Sequence, residues 1–369
     1  GGVVADSVLM DMASVPEGIE WQAEHAEKGG APGTARVIRA TLKLLDGDTA
    51  IGRRMANWQG LVVKDAMPLR IAGALHNLVL TGEDQRLENV YAGRMTDQTA
   101  VDALVCELVE TYDARLLPWL DGPPQTNEAG RSASLMAGLL WLAQHLPPKF
   151  EMIELGSSAG INTMMERYRF DLGGVCVGPE TSPMQIKPEW RGAPPPATEP
   201  EICAIRGCDV APVDLTDRES ALRLKSYVWP EAYFRMDRID AAVALATEKT
   251  PNVVKADAAE FVSEALAMPQ EVGVTRVLFH SIVWQYVPVE QQQTVEAEMG
   301  ESAAATTPDK PLAWLMLETN RETFKHELTV RYWDGSDGCG EPKLLAYAHP
   351  HGAWVEWIAA QDISNLTAC

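Results

Sequence analysis

The sequence is poor in cysteine, and its cysteines form no metal-binding or disulfide pattern. Six occur among 369 residues, and no two of them are spaced as a C-x-x-C pair. Neither a zinc site nor a disulfide framework is therefore indicated, and we expect reduced thiols. The six are Cys106, Cys176, Cys203, Cys208, Cys339 and Cys369.

Long apolar runs are lacking as well. Residues 1–18, GGVVADSVLMDMASVPEG, have no basic segment ahead of an apolar core, so they do not resemble a secretory signal. No stretch approaches the roughly 20 apolar residues that a membrane span requires. We expect a cytoplasmic protein that has no membrane partner.

Basic residues are scarce relative to acidic ones. Lysine and arginine together number 31 against 52 aspartates and glutamates, which gives a formal charge of −21. Such a surface repels phosphate backbones. Nucleic acid is therefore not expected as a partner, and a small-molecule substrate is; the oligomeric state is not indicated.

The remaining composition is that of an ordinary globular protein, with 46% hydrophobic and 22% charged residues. The first third reads as helical because apolar residues recur three and four positions apart. Pro123 and Pro124 then interrupt the helical pattern. We predict a mostly helical region over 1–122 and an α/β domain over 123–369. The helical positions are Met67, Ile71, Leu75, Leu78, Val101, Leu104, Val105, Leu108, Tyr112 and Leu116.

Beyond residue 150, short β-branched or apolar runs alternate with helical segments, which is typical of βαβ units and a parallel sheet. The last two runs follow each other without an intervening helix, which predicts an antiparallel hairpin at the edge of the sheet. The Pro-rich segment 187–200 is predicted to be a surface excursion. The candidate strands are 150–155, 201–207, 252–257, 275–281, 311–318, 328–335 and 343–357.

The segment ELGSSAGIN, residues 154–162, predicts a strand, a glycine turn and a helix with Ile161, Met164, Met165 and Tyr168 on its apolar face. Glycine permits unusual dihedral angles and close approach of a ligand, and a helix start offers unpaired N–H groups. Such a turn suits an adenosyl or phosphate ligand. The alternative is that the glycines only turn the chain. The G-x-G-x-x-G and P-loop patterns are absent.

This segment resembles the first motif of class I S-adenosylmethionine-dependent methyltransferases, and later segments resemble their other motifs in the same order. The resemblance implies S-adenosylmethionine as cofactor. Asp257 and Ala258 would face the adenine, and Asp209, or else Asp214, Asp217 or Glu180, would bind the ribose. The residues so assigned to the cofactor are Glu154, Gly156, Ser157, Gly160, Asn162, Asp209, Asp257 and Ala258.

Longer segments resemble a bacterial family known as domain of unknown function 2332. They are QTNEAGR (125–131), ELGSSAGIN with ERYRF (166–170), RGCDVAPVDLTD (206–217), RLKSYVWP (223–230) and FHSIVWQY (279–286). This resemblance implies a Rossmann-like, methyltransferase-type sheet flanked by helices and preceded by a helical domain. It implies no established substrate.

Candidate catalytic residues are His280, Tyr286 and Glu128. His280 is predicted at the carboxyl end of a strand, where open α/β sheets bind ligands and a general base would be useful. The alternative is a hydrogen-bonded structural histidine. Trp284 and Gln285 follow it and could wall an acceptor pocket, or belong to the core.

The segment QTNEAGR combines donors, acceptors and both charges. Gln125, Asn127 and Arg131 are candidate substrate ligands, because the segment before the first strand commonly reaches over the cofactor in this kind of fold. Helix capping by Thr126 or Asn127 would explain much of the same pattern. His349 and His351 lack further ligands nearby in the sequence, so no metal is expected.

The leading hypothesis is an S-adenosylmethionine-dependent methyltransferase acting on a small molecule. A second possibility is a scaffold that binds an adenosyl ligand or a protein partner without catalysis. A third is a different enzyme that uses QTNEAGR and His280.

Overall fold

The computed structural model describes residues 13–337 and 339–359. These residues divide into two compact units. The first contains residues 13–126 and Asp217–Ile239, and the second contains Asn127–Thr216 and the described residues from Asp240 onward. The predicted domains, 1–122 and 123–369, stay a prediction. The return of Asp217–Ile239 to the first unit was not indicated by the sequence.

The first unit is helical, and its core is apolar. The predicted buried positions Met67, Ile71, Leu75 and Leu78 are all fully buried, so the helical spacing is confirmed there. Asp97 begins the longest helix as an N-cap, because its carboxylate accepts a hydrogen bond from the Ala100 N–H at 3.1 Å. The helices of the described chain are α1 Val15–Lys28, α2 Pro32–Ala40, α3 Ala50–Ala56, α4 Met67–Leu80, α5 Glu88–Tyr91, α6 Gln98–Leu116, α7 Ser132–Leu142, α8 Arg218–Ser226, α9 Tyr233–Glu248, α10 Ala258–Ala267 and α11 Val289–Ala304.

The second unit is built on a nine-stranded sheet with the order β5-β12-β11-β10-β9-β8-β1-β6-β7. Neighbouring strands from β9 to β7 run parallel, whereas β9 through β12 form antiparallel pairs. The strands are β1 Lys149–Leu155, β2 Arg169–Leu172, β3 Val175–Val177, β4 Gln185–Ile186, β5 Glu189–Arg191, β6 Glu201–Asp209, β7 Val253–Lys255, β8 Thr275–Ser281, β9 Leu312–Thr319, β10 His326–Trp333, β11 Lys343–Ala348 and β12 Trp354–Trp357.

The predicted strands are confirmed, and the mixed α/β class with them. Strand β8, TRVLFHS, is buried along its whole length, as a central parallel strand covered on both faces must be, although only its middle residues, 277–279, are apolar. The segment 343–357 forms two strands instead of one, with the turn HPHG between them. The antiparallel strands do not reach the edge of the sheet, because β5, from within the Pro-rich segment, pairs outside β12.

The predicted helix after Gly160 is wrong. Residues Asn162–Arg167 form a short 3-10 helix, which ends where β2 begins. The connection from β1 to β6 continues through a separate three-stranded sheet with the order β3-β2-β4. The intended apolar face nevertheless exists, since Ile161, Met164, Met165 and Tyr168 are buried.

Two further expectations concern cysteines and membranes. Cys106, Cys203, Cys208 and Cys339 are free thiols, as expected for these four. Within 13–337 and 339–359, no helix has the length and apolar character needed to cross a bilayer. Cytoplasmic location stays a prediction.

Candidate functional site

The carboxyl ends of β1, β6, β7, β8 and β9 meet at one edge of the sheet, because these strands are parallel. The chain leaves β1 for β6 on one side and later adds β8 on the other, so the order of strands reverses between β1 and β8. Ligands of open α/β sheets bind outside the carboxyl ends of the strands at such a point. We call this region the carboxyl edge.

The glycine turn follows β1 at this reversal point. Gly156 has φ of +69° and Gly160 φ of +79°, a region in which residues with a Cβ are strained. A Cβ on Gly156 would lie 2.7 Å from Val283, and one on Gly160 would lie 2.7 Å from Val253. Both glycines are therefore required by backbone conformation and by packing against the ends of neighbouring strands.

Two predicted ligand residues hold this turn in place. The Asn127 side-chain oxygen accepts hydrogen bonds from the N–H groups of Ala159 at 3.2 Å and Ile161 at 3.0 Å. The Asp209 carboxylate accepts one from the Ser158 N–H at 2.8 Å. The segments QTNEAGR, ELGSSAGIN and RGCD therefore meet in space, as their candidate roles require. Several N–H groups of the turn are already bonded to protein.

Three buried side chains of the turn carry polar atoms that have no hydrogen-bond partner among the described residues. These are Glu154 Oε1, Ser157 Oγ and Asn162 Oδ1. Glu154 is 2% exposed, and burial raises the pKa of its carboxyl to about 8. The Ser157 hydroxyl, which lies near the carboxyl without a well-aligned hydrogen bond, and the charge of Arg131 both oppose the rise. A buried polar atom without a partner is uncommon and calls for an explanation, such as a ligand or an ordered water.

Glu128 and Arg131 are buried beside the reversal point. The Glu128 carboxylate accepts a hydrogen bond from the Gly130 N–H at 3.0 Å. The Arg131 guanidinium donates to the Pro350 carbonyl at 3.0 Å and weakly to the Ser281 carbonyl at 3.4 Å. It thus links the end of β8 to the turn HPHG.

The structure differs from the capping alternative for QTNEAGR in which residue caps which helix. Helix α7 begins only at Ser132, and the 3-10 turn Ala129–Arg131 ahead of it is capped by Glu128. Asn127 instead bonds to the glycine turn. Gln125 belongs to the first unit.

His280 is enclosed by protein. The ring is fully buried and stacks on Trp284 with ring centres 5.1 Å apart. Its Nε2 accepts a hydrogen bond from the Trp314 indole N–H at 3.0 Å, and its Nδ1 faces Glu318 Oε2 at 3.5 Å. In the neutral ring the proton is therefore on Nδ1, and the Nε2 lone pair that a general base would use is engaged. This geometry favours the structural alternative for His280.

The segment after β8 divides between core and surface. Trp284 packs on His280 and Trp314. The Gln285 side-chain oxygen accepts a hydrogen bond from Arg321 at 2.6 Å, and Tyr286 is 75% exposed. One face of the Trp284 ring is therefore covered by His280, so at most the other could contact an acceptor. Gln285 and Tyr286 lie at the carboxyl edge.

Asp257 stands at the end of the β7 segment and caps α10, since its carboxylate accepts a hydrogen bond from the Glu260 N–H at 2.8 Å. Ala258 is buried next to it. Of the alternative ribose carboxylates, Asp214 bonds to Thr216, Glu180 is exposed, and Asp217 caps α8 in the first unit. Asp209 is the one that contacts the glycine turn.

Sequence reasoning missed Glu318 and Val283. The Glu318 carboxylate accepts hydrogen bonds from the Val283 and Trp284 N–H groups, both at 2.8 Å, and so fixes the segment after β8. Burial would raise the pKa of Glu318, but His280 and these N–H groups outweigh burial and lower it. The only signal was a glutamate near the end of a predicted strand. Ile282, which precedes this segment, has φ of +48°, which is strained for a β-branched residue.

Residues 17–357 match the sequence model of a family described as an uncharacterized protein conserved in bacteria, domain of unknown function 2332. The chain belongs to this family. The predicted family is thereby confirmed over nearly the whole chain. No curated protein and no solved structure matches the chain. The resemblance to S-adenosylmethionine-dependent methyltransferases thus gains no support from relatives.

The family's description names no activity. Within the described parts of the chain, no group of three or more histidine, cysteine, aspartate or glutamate side chains is placed to hold a metal ion. His349 and His351 instead belong to a turn so close to the 3-10 turn Ala129–Arg131 that a Cβ on Gly352 would lie 2.4 Å from Gly130 Cα.

Proposed function

We propose that this protein binds S-adenosylmethionine at the carboxyl edge and transfers its methyl group to a small-molecule acceptor. The observation that carries the proposal is the strand order β7-β6-β1-β8-β9 with the glycine turn at its reversal point. Numbered by appearance in the parallel part of the sheet, this is the order 3-2-1-4-5 of a doubly wound nucleotide-binding sheet.

The chemistry of the residues fits the cofactor. The sulfonium and the ammonium of S-adenosylmethionine are positive and attract negatively charged groups. Its two ribose hydroxyls and its adenine amino group donate hydrogen bonds to acceptors such as carboxylates. Carboxylates end or follow three adjacent strands: Glu154 on β1, Asp209 on β6 and Asp257 after β7. Glu154 also leaves one buried oxygen without a partner among the described residues. These groups would hold the cofactor, which supplies the activated methyl group.

Methyl transfer itself needs mainly the alignment of two bound molecules, so few catalytic residues are required. Gln285, Tyr286 and Arg321 lie at the carboxyl edge after β8 and β9, on exposed segments. They are the side chains we assign to the acceptor. Glu128 is buried and accepts a hydrogen bond from the Gly130 N–H, so the role we assign to it is to position the segment that carries Asn127 and Arg131.

One observation favours the alternative of adenosyl-ligand binding without catalysis. His280, the histidine proposed as general base, has its Nε2 bonded to Trp314 and its Nδ1 facing Glu318. An acceptor that must lose a proton would need another base. The two candidates differ only in turnover, because both require the same ligand site.

The test is calorimetric titration with S-adenosylmethionine and S-adenosylhomocysteine. Replacing Asp257 with serine keeps an N-cap for α10 but removes a charged acceptor, which should weaken binding roughly 10- to 100-fold. The matched control is Asp97→Ser, the same exchange at the N-cap of α6 in the first unit, and it should leave affinity unchanged.

Absence of heat with both ligands would refute the proposal. Binding that is insensitive to Asp257→Ser would place the ligand elsewhere. A protein that binds is next incubated with S-adenosylmethionine and a metabolite panel, and formation of S-adenosylhomocysteine is measured. Binding without product across the panel would favour the non-catalytic alternative.

A further inference from the structure

Glu154 is a buried acidic residue next to the glycine turn. It is the penultimate residue of β1, two positions before Gly156, and only 2% of it is exposed. Its neighbours across the sheet are Gly207 on β6 and Phe279 on β8, neither of which carries a charge. Its Oε1 makes no hydrogen bond of good geometry among the described residues, and the Ser157 hydroxyl interacts with the carboxyl only loosely.

The groups that act on this carboxyl come from four surrounding segments. Ser157, in the glycine turn, and Arg131, ahead of α7, favour the ionised form, whereas Asp209 at the end of β6 disfavours it. Cys208 and Tyr168 also lie within electrostatic range, and burial raises the pKa of each, so both stay neutral at physiological pH. Burial of Glu154 outweighs the favourable groups and holds the carboxyl protonated near neutral pH.

We propose that a cationic ligand bound at the glycine turn displaces the proton of Glu154 into solvent, so that ligand binding is coupled to pH. The inference rests on the proposed function, because it takes the sulfonium of S-adenosylmethionine as the cation. The O–H bond of the carboxyl breaks, buffer accepts the proton, and the carboxylate left behind offsets the ligand's positive charge.

The proposed coupling between ligand affinity and pH has a definite sign and a maximum size. A positive charge near a carboxyl favours its ionised form, so the bound state holds fewer protons than the free protein. Affinity should therefore rise with pH, by at most about tenfold per pH unit, and level off once the free protein has lost the proton. S-adenosylhomocysteine lacks the sulfonium and should release less of the proton.

The experiment is titration of the full chain with S-adenosylmethionine at pH 7 in two buffers, phosphate and Tris, whose ionisation enthalpies differ. Proton release makes the observed heat depend on the buffer. The wild-type protein should release close to one proton per ligand. Glu154→Gln has nothing to release, so its heat should be the same in both buffers. Glutamine matches the protonated carboxyl in shape and neutrality, which keeps the fold.

The matched control is Glu166→Gln. Glu166 lies on the 3-10 helix after the turn, burial raises the pKa of its carboxyl, and its Oε2 also lacks a partner among the described residues. Its side chain lines a cavity beside the amino-terminal half of β6 instead of the carboxyl edge. This variant should keep the buffer dependence of the wild-type protein.

The outcomes separate this inference from the proposed function. Binding with equal heats in both buffers, or a wild-type affinity that is constant between pH 6 and 9, would overturn the proton coupling and leave cofactor binding intact. Buffer dependence that persists in Glu154→Gln would assign the proton to another group and also overturn it. No binding at all would remove the proposed function, and this inference with it.

Discussion

Replacement of Glu154 by glutamine should change how the stability of the free protein depends on pH. The carboxyl is fully buried, and its pKa is raised from an ordinary value of 4.5 to about 8. Below the lower value both the folded and the unfolded protein hold the proton. Between the two values the unfolded chain loses it while the folded protein keeps it, so stability falls as pH rises. Above the higher value the loss is complete.

The size of the effect follows from the shift. Each pKa unit corresponds to about 1.4 kcal/mol, so the interval from 4.5 to about 8 corresponds to a loss of roughly 5 kcal/mol on going from acid to alkaline pH. Glutamine does not titrate. The free energy of unfolding of Glu154→Gln minus that of the wild-type protein should therefore increase by about this amount over the same range. Other groups titrate in both proteins, so the difference isolates Glu154.

The measurement is urea denaturation followed by tryptophan fluorescence at intervals between pH 4 and pH 9, with the free energy obtained by linear extrapolation. Glu154→Met is the control for packing. It also removes the titrating group but changes the shape and polarity of the side chain. Its curve should run parallel to that of Glu154→Gln, displaced by a constant.

A difference between Glu154→Gln and the wild-type protein that stays within about 0.5 kcal/mol across the range would refute the reasoning, because a buried carboxyl with a raised pKa cannot be silent. A difference of the opposite sign would mean that the folded protein stabilises the carboxylate. In that case Arg131 would outweigh burial.

The remaining predictions concern the turn and the histidine, each measured by urea denaturation. Gly156→Ala should lower the free energy of unfolding by about 1–2 kcal/mol because φ is positive there, and by about 1–3 kcal/mol more because the new Cβ overlaps Val283. Adding Val283→Ala should restore only the part due to overlap. If it restores nothing, the packing explanation is contradicted. Asn127→Ala should lose about 1–3 kcal/mol for each N–H group left without its acceptor, and Asn127→Asp much less; equal losses would contradict the role of the oxygen. His280→Phe should lose about 1–3 kcal/mol because the Trp314 N–H loses its acceptor, and unchanged stability would argue against a structural histidine.

The sheet could be predicted because its central strands contain short apolar runs, which are typical of buried strands. The buried strand β8 has the apolar run VLF, residues 277–279, at its centre, and β1 has Phe150, Met152, Ile153 and Leu155 among its polar residues. The edge strand β5 could not be found in this way. It has three residues, lies within a Pro-rich segment, and is defined by its pairing with β12, which is distant in the sequence. Short strands depend on tertiary pairing more than on local pattern.

The helix predicted after the glycine turn shows a different limit. The spacing of Ile161, Met164, Met165 and Tyr168 fits a buried helical face, and these residues are buried. A single 3-10 turn followed by a strand buries the same residues, because four apolar positions do not determine how far a helix continues. The strand β2 decides the outcome through its pairing with β3 and β4.

At the candidate site, residue types were predicted better than their partners. Asn127 bonds to the glycine turn and Arg131 reaches the end of β8, as the polar composition of QTNEAGR suggested. The enclosure of His280 was not predictable, since Trp314 and Glu318 lie on β9, more than 30 residues later in the chain. A strand-end histidine looks the same in sequence whether its nitrogens face solvent or protein.

The glycines of ELGSSAG are explained without a ligand, since φ at Gly156 and Gly160 is positive and Val283 and Val253 fill the space beside them. They therefore do not by themselves favour a cofactor over a simple turn. Glu154 is not explained by the turn, because a turn needs no buried carboxyl, and one whose pKa is raised by burial lowers stability at neutral and alkaline pH. The proposed cationic ligand would account for it, since a positive charge nearby would offset the buried carboxylate, and the pH dependence of Glu154→Gln tests that account.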